Sequence, residues 1–391
     1  MAIGAIKKQK TPETYIASLI WLSLVAALIG NIQPIFLGVL AETFSLDGKQ
    51  LGFIGGAELG GSCLASLSAP YWFPRFRLRR VAFVALIVGV AGNLITSSVT
   101  EYSQLLMIRF TIGFLGSGVL YAMTLGLIGQ LGNPDRVIAI AIIFQVLSLA
   151  VGMAAVPILM DRWQLSGVTA VLALLFCTGF FLLHLLPERL GIQSVREAAP
   201  GDLKFLPGAL LASLIVFSVG LGGVWAFMER IGNSAGFSMV DIGNALAVSG
   251  LVGGLGALVA AVLGTRLGRL LPVVFALLLQ VVTCFILATR SDWYSYLLAI
   301  ALFNFCWNLT LPYLMGAIAA ADPSGRFMVL IPAAQTGGYA LGPMLVGLIM
   351  VGEGYQTAAW ISMGVFFGCL IMVVPLLRKI PPTVVVQVDG V

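Results

Sequence analysis

Two ionisable side chains stand where lipid-soluble residues are expected. Glu58 lies in the middle of LGFIGGAELGGSCLASLSAP, Leu51–Pro70, and Arg109 opens RFTIGFLGSG, Arg109–Gly118. A carboxylate pointed at hydrocarbon is costly, so Glu58 demands an inward partner, and Arg109 is the nominee. A carboxylate that alternates between a dry apolar setting and the field of a guanidinium takes up and gives off a proton. That is the chemistry of a proton-coupling site. Arg109 has two candidate uses: binding a substrate carboxylate, and pairing with an acid when the site is empty. Glu229, four residues after Trp225 in GGVWAFMERIG, is a second candidate proton carrier. Its structural reading is an ion pair with Arg230 at the membrane edge. In FNFCWNLTLPY, the residues Asn304, Trp307 and Asn308 stand at i, i+3 and i+4 and share one helix face. An amide-aromatic face suits a ligand with a flat apolar body and a polar edge. Interhelical hydrogen bonding by the two amides is the plainer use of the same residues.

Other chemistries find little material. His184 is the one histidine and sits near a span end, where it reads as interfacial. Cys63, Cys177, Cys284, Cys306 and Cys369 are singletons inside apolar runs, so neither a disulfide framework nor a zinc site is indicated. No acid cluster, nucleophile elbow or phosphate loop stands in the sequence, and the expectation is no enzyme, no metal and no cofactor.

The elements that must position these groups are helices in a bilayer. Hydrophobic residues make up 60% of the chain and charged ones 9%, against about 25% charged in a soluble domain. The apolar runs are long enough to cross a membrane as helices. They read as spans at 15–41, 50–71, 81–99, 103–131, 137–160, 166–186, 208–229, 239–264, 271–289, 293–320, 327–351 and 357–377. The first run is too long for a signal peptide's apolar core, so it reads as a span and not as a cleaved leader. The polar stretch PERLGIQSVREAAPGDLKFLP, 187–207, separates six spans from six. The expected organisation is a bundle over 1–186, a cytoplasmic loop over 187–207 and a second bundle with a short tail over 208–391.

An even span count puts both termini on one side. Of the 21 Lys and Arg residues, sixteen then fall on that side, four on the other, and Arg109 within a span. The positive-inside rule makes the rich side cytoplasmic and the location the cytoplasmic (inner) membrane. The net charge of +5 is explained by these loops and does not point to nucleic acid.

The halves also echo each other. Arg136 and Arg326, Gln145 and Gln335, Gly152 and Gly342, Gly126 and Gly316, and Arg79 and Arg269 all share an offset of 190 residues at equivalent places. Repeated halves with a site between them are a mark of secondary transporters.

Three features together resemble the major facilitator superfamily over nearly the whole chain: the six-plus-six layout, RFTIGFLGSG in span 4 and GTRLGR, Gly264–Arg269, after span 8. The family's loop motif runs G-x-x-x-D-R-x-G-R-R. Arg266, Gly268 and Arg269 fit it with Thr265 in the acid's place, while PRFRLRR keeps Arg79 and Arg80 without the Asp or Gly. In span 4, Arg109 and Gly113 match R-x-x-x-G-x-G and Leu115 stands at the second Gly. The resemblance implies an all-α membrane protein of twelve helices in two pseudo-symmetric bundles, transporting by alternating access. It implies that spans 1, 4, 7 and 10 line a central cavity, which brings in Asn31, Gln33, Arg109, Tyr121, Trp225, Asn304, Trp307 and Asn308 as substrate contacts. Gln335 and Tyr339 of span 11 join them as candidates. It further implies that Arg79, Arg80, Arg266 and Arg269 serve a conformational latch.

The function expected is proton-coupled transport of a small organic solute, an organic anion or an amphipathic aromatic compound, with Glu58, Arg109 and Glu229 as coupling groups. Proton-antiport drug efflux is the second reading. GYALGP in span 11 resembles the glycine-proline motif of drug/proton antiporters, but that motif belongs in span 5, where AVGMAAVP lacks the pair. A non-transporting sensor with a transporter fold is the reading of a different class. Expected partners are the solute, protons and lipid, with the chain as a monomer and no nucleic acid.

Overall fold

The computed structural model describes residues 13–131, 134–188, 205–322, 327–350 and 354–380, and these are helical almost throughout, with no strand among them. Twelve crossings form two pseudo-symmetric six-helix bundles. Lys7, Lys8 and Lys10, most of the 187–207 loop and Arg326 lie outside the described residues.

Nine described stretches are long and apolar enough to cross a membrane. One of them, Arg136–Leu185, folds back at Gln164, whose φ of 56° and ψ of −159° break the helix into spans 5 and 6. Two further crossings, span 2 (Gly48–Trp72) and span 11 (Ile331–Ile349), are less apolar because they pack on each other. Small residues occupy the contact where a lipid-facing helix carries Leu or Ile.

Three spans that the sequence reads as single helices are interrupted. Span 1 is Glu13–Asn31 followed by Gln33–Phe44, with Ile32 off helical geometry. Span 4 is Tyr102–Thr111, a π-helical turn at Ile112–Ser117, then Gly118–Ile128. Span 7 is Phe205–Trp225, then Met228–Ser234. Pro34 accounts for the first break, because it offers no N–H to the carbonyl of Gly30 one turn back. A π turn is a wide turn that recurs at functional sites, and this one begins three residues after Arg109.

The repeat is visible in the packing. Gly152 of span 5 lies against Ile32 of span 1, and Gly342 of span 11 lies against Val219 and Gly223 of span 7. Gly126 faces Phe73 after span 2, and Gly316 faces Arg269 after span 8. Each pair of glycines thus meets equivalent neighbours in its own half.

Between the bundles, span 2 meets span 11 and span 8 meets span 5. On the side away from both chain ends, the distal side, contact is so close that a Cβ at Gly52 would collide with Pro343 O and one at Gly243 with Met153 O. Further along the same pairs a Cβ at Gly60 would lie 3.7 Å from Ala340 and one at Gly254 4.0 Å from Val146, and Cys63 Sγ donates to Ala333 O at 3.3 Å.

Candidate functional site

The centre of the N-terminal bundle holds the ion pair that the sequence suggests. Arg109 donates from one amino group to the Glu58 carboxylate. Its other amino group donates to Asn93 Oδ1 at 3.1 Å, and its guanidinium carbon lies 4.7 Å from the ring centroid of Phe36. Arg109 is 1% exposed and Glu58 5% exposed. Small residues make this possible. Gly61 packs on the backbone of Phe110, Gly113 and Phe114, and Gly113 packs on the carbonyl of Glu58 itself. Ser62 Oγ donates to Gly113 O at 3.3 Å, fixing spans 2 and 4 in register. The opposite ridge of span 2, Gly52 and Gly56, faces Ala340, Pro343 and Gly347 of span 11. One helix therefore carries the ion pair on one face and the contact between bundles on the other.

Two voids of about 10 and 20 Å³ flank the pair. Both are lined by Glu58 and Arg109; the first adds Asn93 and Ser117, and the second adds Gly30 and Gln33. Each is on the scale of one water molecule. Gln33 is buried and spends its amide on Gly55 O at 2.7 Å, so it braces span 1 on span 2 beside the pair.

A second cluster begins one turn away. The Gly30 carbonyl, left free by Pro34, accepts a hydrogen bond from Trp225 Nε1 of the other bundle at 3.3 Å. Trp225 packs edge to face with Trp307, centroids 5.6 Å apart, and Trp307 packs on Tyr339 at 5.5 Å. Tyr339 lies beside Gln335 and faces Tyr121 across the bundle interface. Tyr121 lies beside Gln145. Asn31, next to Gly30, donates to Gln145 O and Ser148 Oγ, each at 3.4 Å. The contacts close into a ring drawn from spans 1, 4, 5, 7, 10 and 11. The repeat-related glutamines Gln145 and Gln335 each sit beside a tyrosine in it. Asn31, Tyr121, Gln145, Trp307, Gln335 and Tyr339 are half-buried.

The face of Asn304, Trp307 and Asn308 is divided in use. Trp307 enters the ring. Asn304 Nδ2 donates to Ser249 Oγ of span 8 at 3.1 Å, and Asn308 Nδ2 donates to Asn304 O at 3.0 Å. Asn304 thus bonds across to span 8, whereas Asn308 bonds within its own helix.

Glu229 lies in a third cluster. It is fully buried, and Arg230 grips it through Nε at 2.6 Å and Nη2 at 3.1 Å. Nη2 also reaches Glu42 at 3.3 Å and the carbonyl of Gly38 at 3.3 Å, both on span 1. This clip ties span 7 to span 1 on the distal side. A Cβ at Gly38 would collide with the Glu229 carboxylate, so a larger residue there would have to displace it.

Of the four loop arginines, Arg79 and Arg269 have neighbours within their own halves. Arg79 Nε donates to Leu186 O at 2.6 Å, joining the start of span 3 to the end of span 6. Arg269 lies beside Gly316 in span 10, and Arg80 and Arg266 are exposed. Asn93, Phe36, Ser148, Gly38 and Glu42 are not marked by the sequence as site residues, and Gln145 is marked only as the repeat partner of Gln335. Asn93 carried a signal, as the one amide in the otherwise apolar VAFVALIVGVAGNLI.

The profile of the Major Facilitator Superfamily matches residues 19–320 and 209–390. The chain belongs to the Major Facilitator Superfamily. As a member of that superfamily it is a multi-pass membrane transporter. Solved structures of similar fold include a bacterial homolog to the human lysosomal transporter Spinster, in an inward-facing and unoccupied conformation, with a TM-score of 0.77 at 11% identity over 95% of this chain and 98% of that one. The nucleoside transporter NupG aligns with a TM-score of 0.67 at 16% identity over 93% and 99%. The POT family transporter PepTSo aligns with a TM-score of 0.72 at 10% identity over 94% and 98%. At these identities the likeness concerns the fold. No curated protein matches the sequence at a significant level.

Proposed function

We propose that this superfamily member is a proton-coupled secondary transporter. It moves a small organic solute across the cytoplasmic membrane by alternating access, with both termini cytoplasmic. The observation that carries the reading is the shared use of the span 1 break. Gly30 lines the void beside Glu58 and Arg109, and its carbonyl holds Trp225 of the ring. Proton occupancy at Glu58 and solute occupancy at the ring would then act on one hinge.

The distal clip, the Trp225 bond and the close approach of Gly52 and Gly243 to their partners support a distal side that is shut and faces away from the cytoplasm. That arrangement corresponds to the inward-facing state named for the Spinster homolog. In this reading the bundles 1–186 and 208–391 rock about the glycine contacts, and the 187–207 loop links them.

The test is the variant Glu58→Gln in proteoliposomes, using a compound that raises the melting temperature of the purified protein. Uptake driven by an imposed pH gradient should vanish while solute counterflow persists. Unchanged pH-driven uptake would overturn the assignment of Glu58 as the coupling group.

A further inference from the structure

We infer that the solute is uncharged and planar: an aromatic or heteroaromatic ring with amide, carbonyl or hydroxyl groups on its edge, and not an organic anion. The inference rests on the transport reading for the purpose of the residue ring, and it concerns what that ring selects.

The first argument is electrostatic. Trp225, Trp307, Tyr339, Gln335, Tyr121, Gln145, Ser148 and Asn31 include no carboxylate, ammonium, guanidinium or imidazole. A charged solute brought among them gives up its hydration with no counter-ion in return, which is strongly unfavourable in a medium of low dielectric. The cation that would receive an anion is already engaged. Arg109 is held by Glu58, Asn93 and Phe36 from three different spans, and 1% of its surface is exposed. Arg230 is likewise held by Glu229, Glu42 and Gly38.

The second argument is shape. Trp225 and Trp307 meet at 80°, Phe303 and Trp307 at 77°, and Trp307 and Tyr339 at 58°, so no two of these rings are stacked face to face. Aromatic rings favour offset-stacked or edge-to-face partners, and a planar solute supplies one. Trp225 is buried and anchored on Gly30 O, a rigid back wall, while Trp307 and Tyr339 are half-buried and approachable.

The third argument is the edge. Gln145, Gln335, Asn31, Tyr121 and Ser148 offer both donors and acceptors, and in this state Asn31 donates to Ser148 Oγ and Gln145 O while Ser148 donates to Gln145 O. A site built from such groups discriminates for a solute that can replace those bonds and against one that cannot. A carboxylate only accepts, and a quaternary ammonium does neither.

The experiment uses the purified full-length protein in detergent and matched sets sharing one ring: nicotinamide, nicotinate and the 1-methylnicotinamide cation; benzamide and benzoate; uridine and uridine 5′-monophosphate. Thermal stabilisation reads binding. Uncharged members should stabilise the protein, with affinity at least about tenfold above their charged counterparts, since an unpaired buried charge is costly. Trp307→Ala should weaken the binding by about tenfold, as expected for loss of a stacking face, and Trp307→Phe should restore most of it. The unliganded melting temperature of each variant reports whether it folds. Preference for the charged members, stabilisation by none of the uncharged ones, or binding indifferent to Trp307 overturns the inference. Counterflow in proteoliposomes separates it from the transport reading. Uncharged compounds that bind without counterflow leave the inference standing and defeat transport, whereas counterflow of anions does the reverse.

Discussion

Arg109 holds Glu58 across spans 4 and 2 at the centre of the N-terminal bundle, and both side chains are withdrawn from lipid and from water. Removing one partner of a buried pair leaves an uncompensated charge, which costs about 3–5 kcal/mol. Arg109→Met should therefore lower stability steeply. The double variant Glu58→Gln, Arg109→Met should be less destabilised than Arg109→Met alone, because it leaves no orphan charge. Melting temperatures of the two variants and of Glu58→Gln in detergent form the double-mutant cycle that checks this. Effects that simply add would show that the pair is not coupled.

Gly113 and Gly52 are both crowded, but against different bodies. A Cβ at Gly113 meets the Glu58 backbone within the N-terminal bundle, whereas one at Gly52 meets Pro343 and Gly347 of the other bundle. Gly113→Ala should cost about 1–3 kcal/mol, the usual penalty of overpacking. Gly52→Ala can be relieved by separating the bundles, so it should leave the melting temperature nearly unchanged and open the distal side. Thermal unfolding reads the first effect. Distal labelling of a cysteine introduced at Leu37, which is buried here, reads the second. Equal loss of stability in the two variants would contradict the division.

The sequence exposed the twelve crossings because lipid imposes length and apolarity on nearly all of them. It exposed Glu58 and Arg109 for the same reason: a charge in such a run needs a partner, and two charges at similar depth are natural partners. It did not expose Asn93 or Phe36, because the rotation of spans 3 and 1 about their axes depends on packing and not on composition. Glu229 read as an edge residue because the break at Ala226–Phe227 was hidden in an apolar run. Only that break turns Glu229 and Arg230 back onto Gly38 and Glu42. The loop arginines read as a latch by family pattern, and the bond that Arg79 makes stays in its own bundle.

The clip of Arg230 on Glu229, Gly38 and Glu42 predicts a conformational effect. Glu42 is 40% exposed, so water screens its contact with Arg230 more than it screens that of the fully buried Glu229. The buried Glu229 contact and the Gly38 carbonyl therefore dominate. Arg230→Met should raise the rate of distal labelling at Leu37→Cys by roughly tenfold or more, a shift of the order typical of coupled states. Gly38→Ala should act in the same direction, since its methyl group and the Glu229 carboxylate compete for one space. Glu42→Gln should change labelling far less. Labelling at the unmodified rate in Arg230→Met would show that the clip does not hold the distal side shut.

The last prediction concerns Pro34. In a continuous helix the N–H of residue 34 would donate to the carbonyl of Gly30, and proline leaves that carbonyl for Trp225 Nε1 at 3.3 Å. Pro34→Ala restores the intrahelical donor and sets it in competition with the tryptophan. Span 1 should straighten, the tie between the bundles should weaken, and distal labelling at Leu37→Cys should rise. Trp225→Phe keeps the ring face but loses the donor, so it should weaken the same tie with Pro34 in place. If the two substitutions act on one bond, the double variant should label little faster than either single variant. Rates that multiply would mean that Pro34 and Trp225 influence closure by separate routes, and that the Gly30 carbonyl does not link the hinge to the aromatic ring.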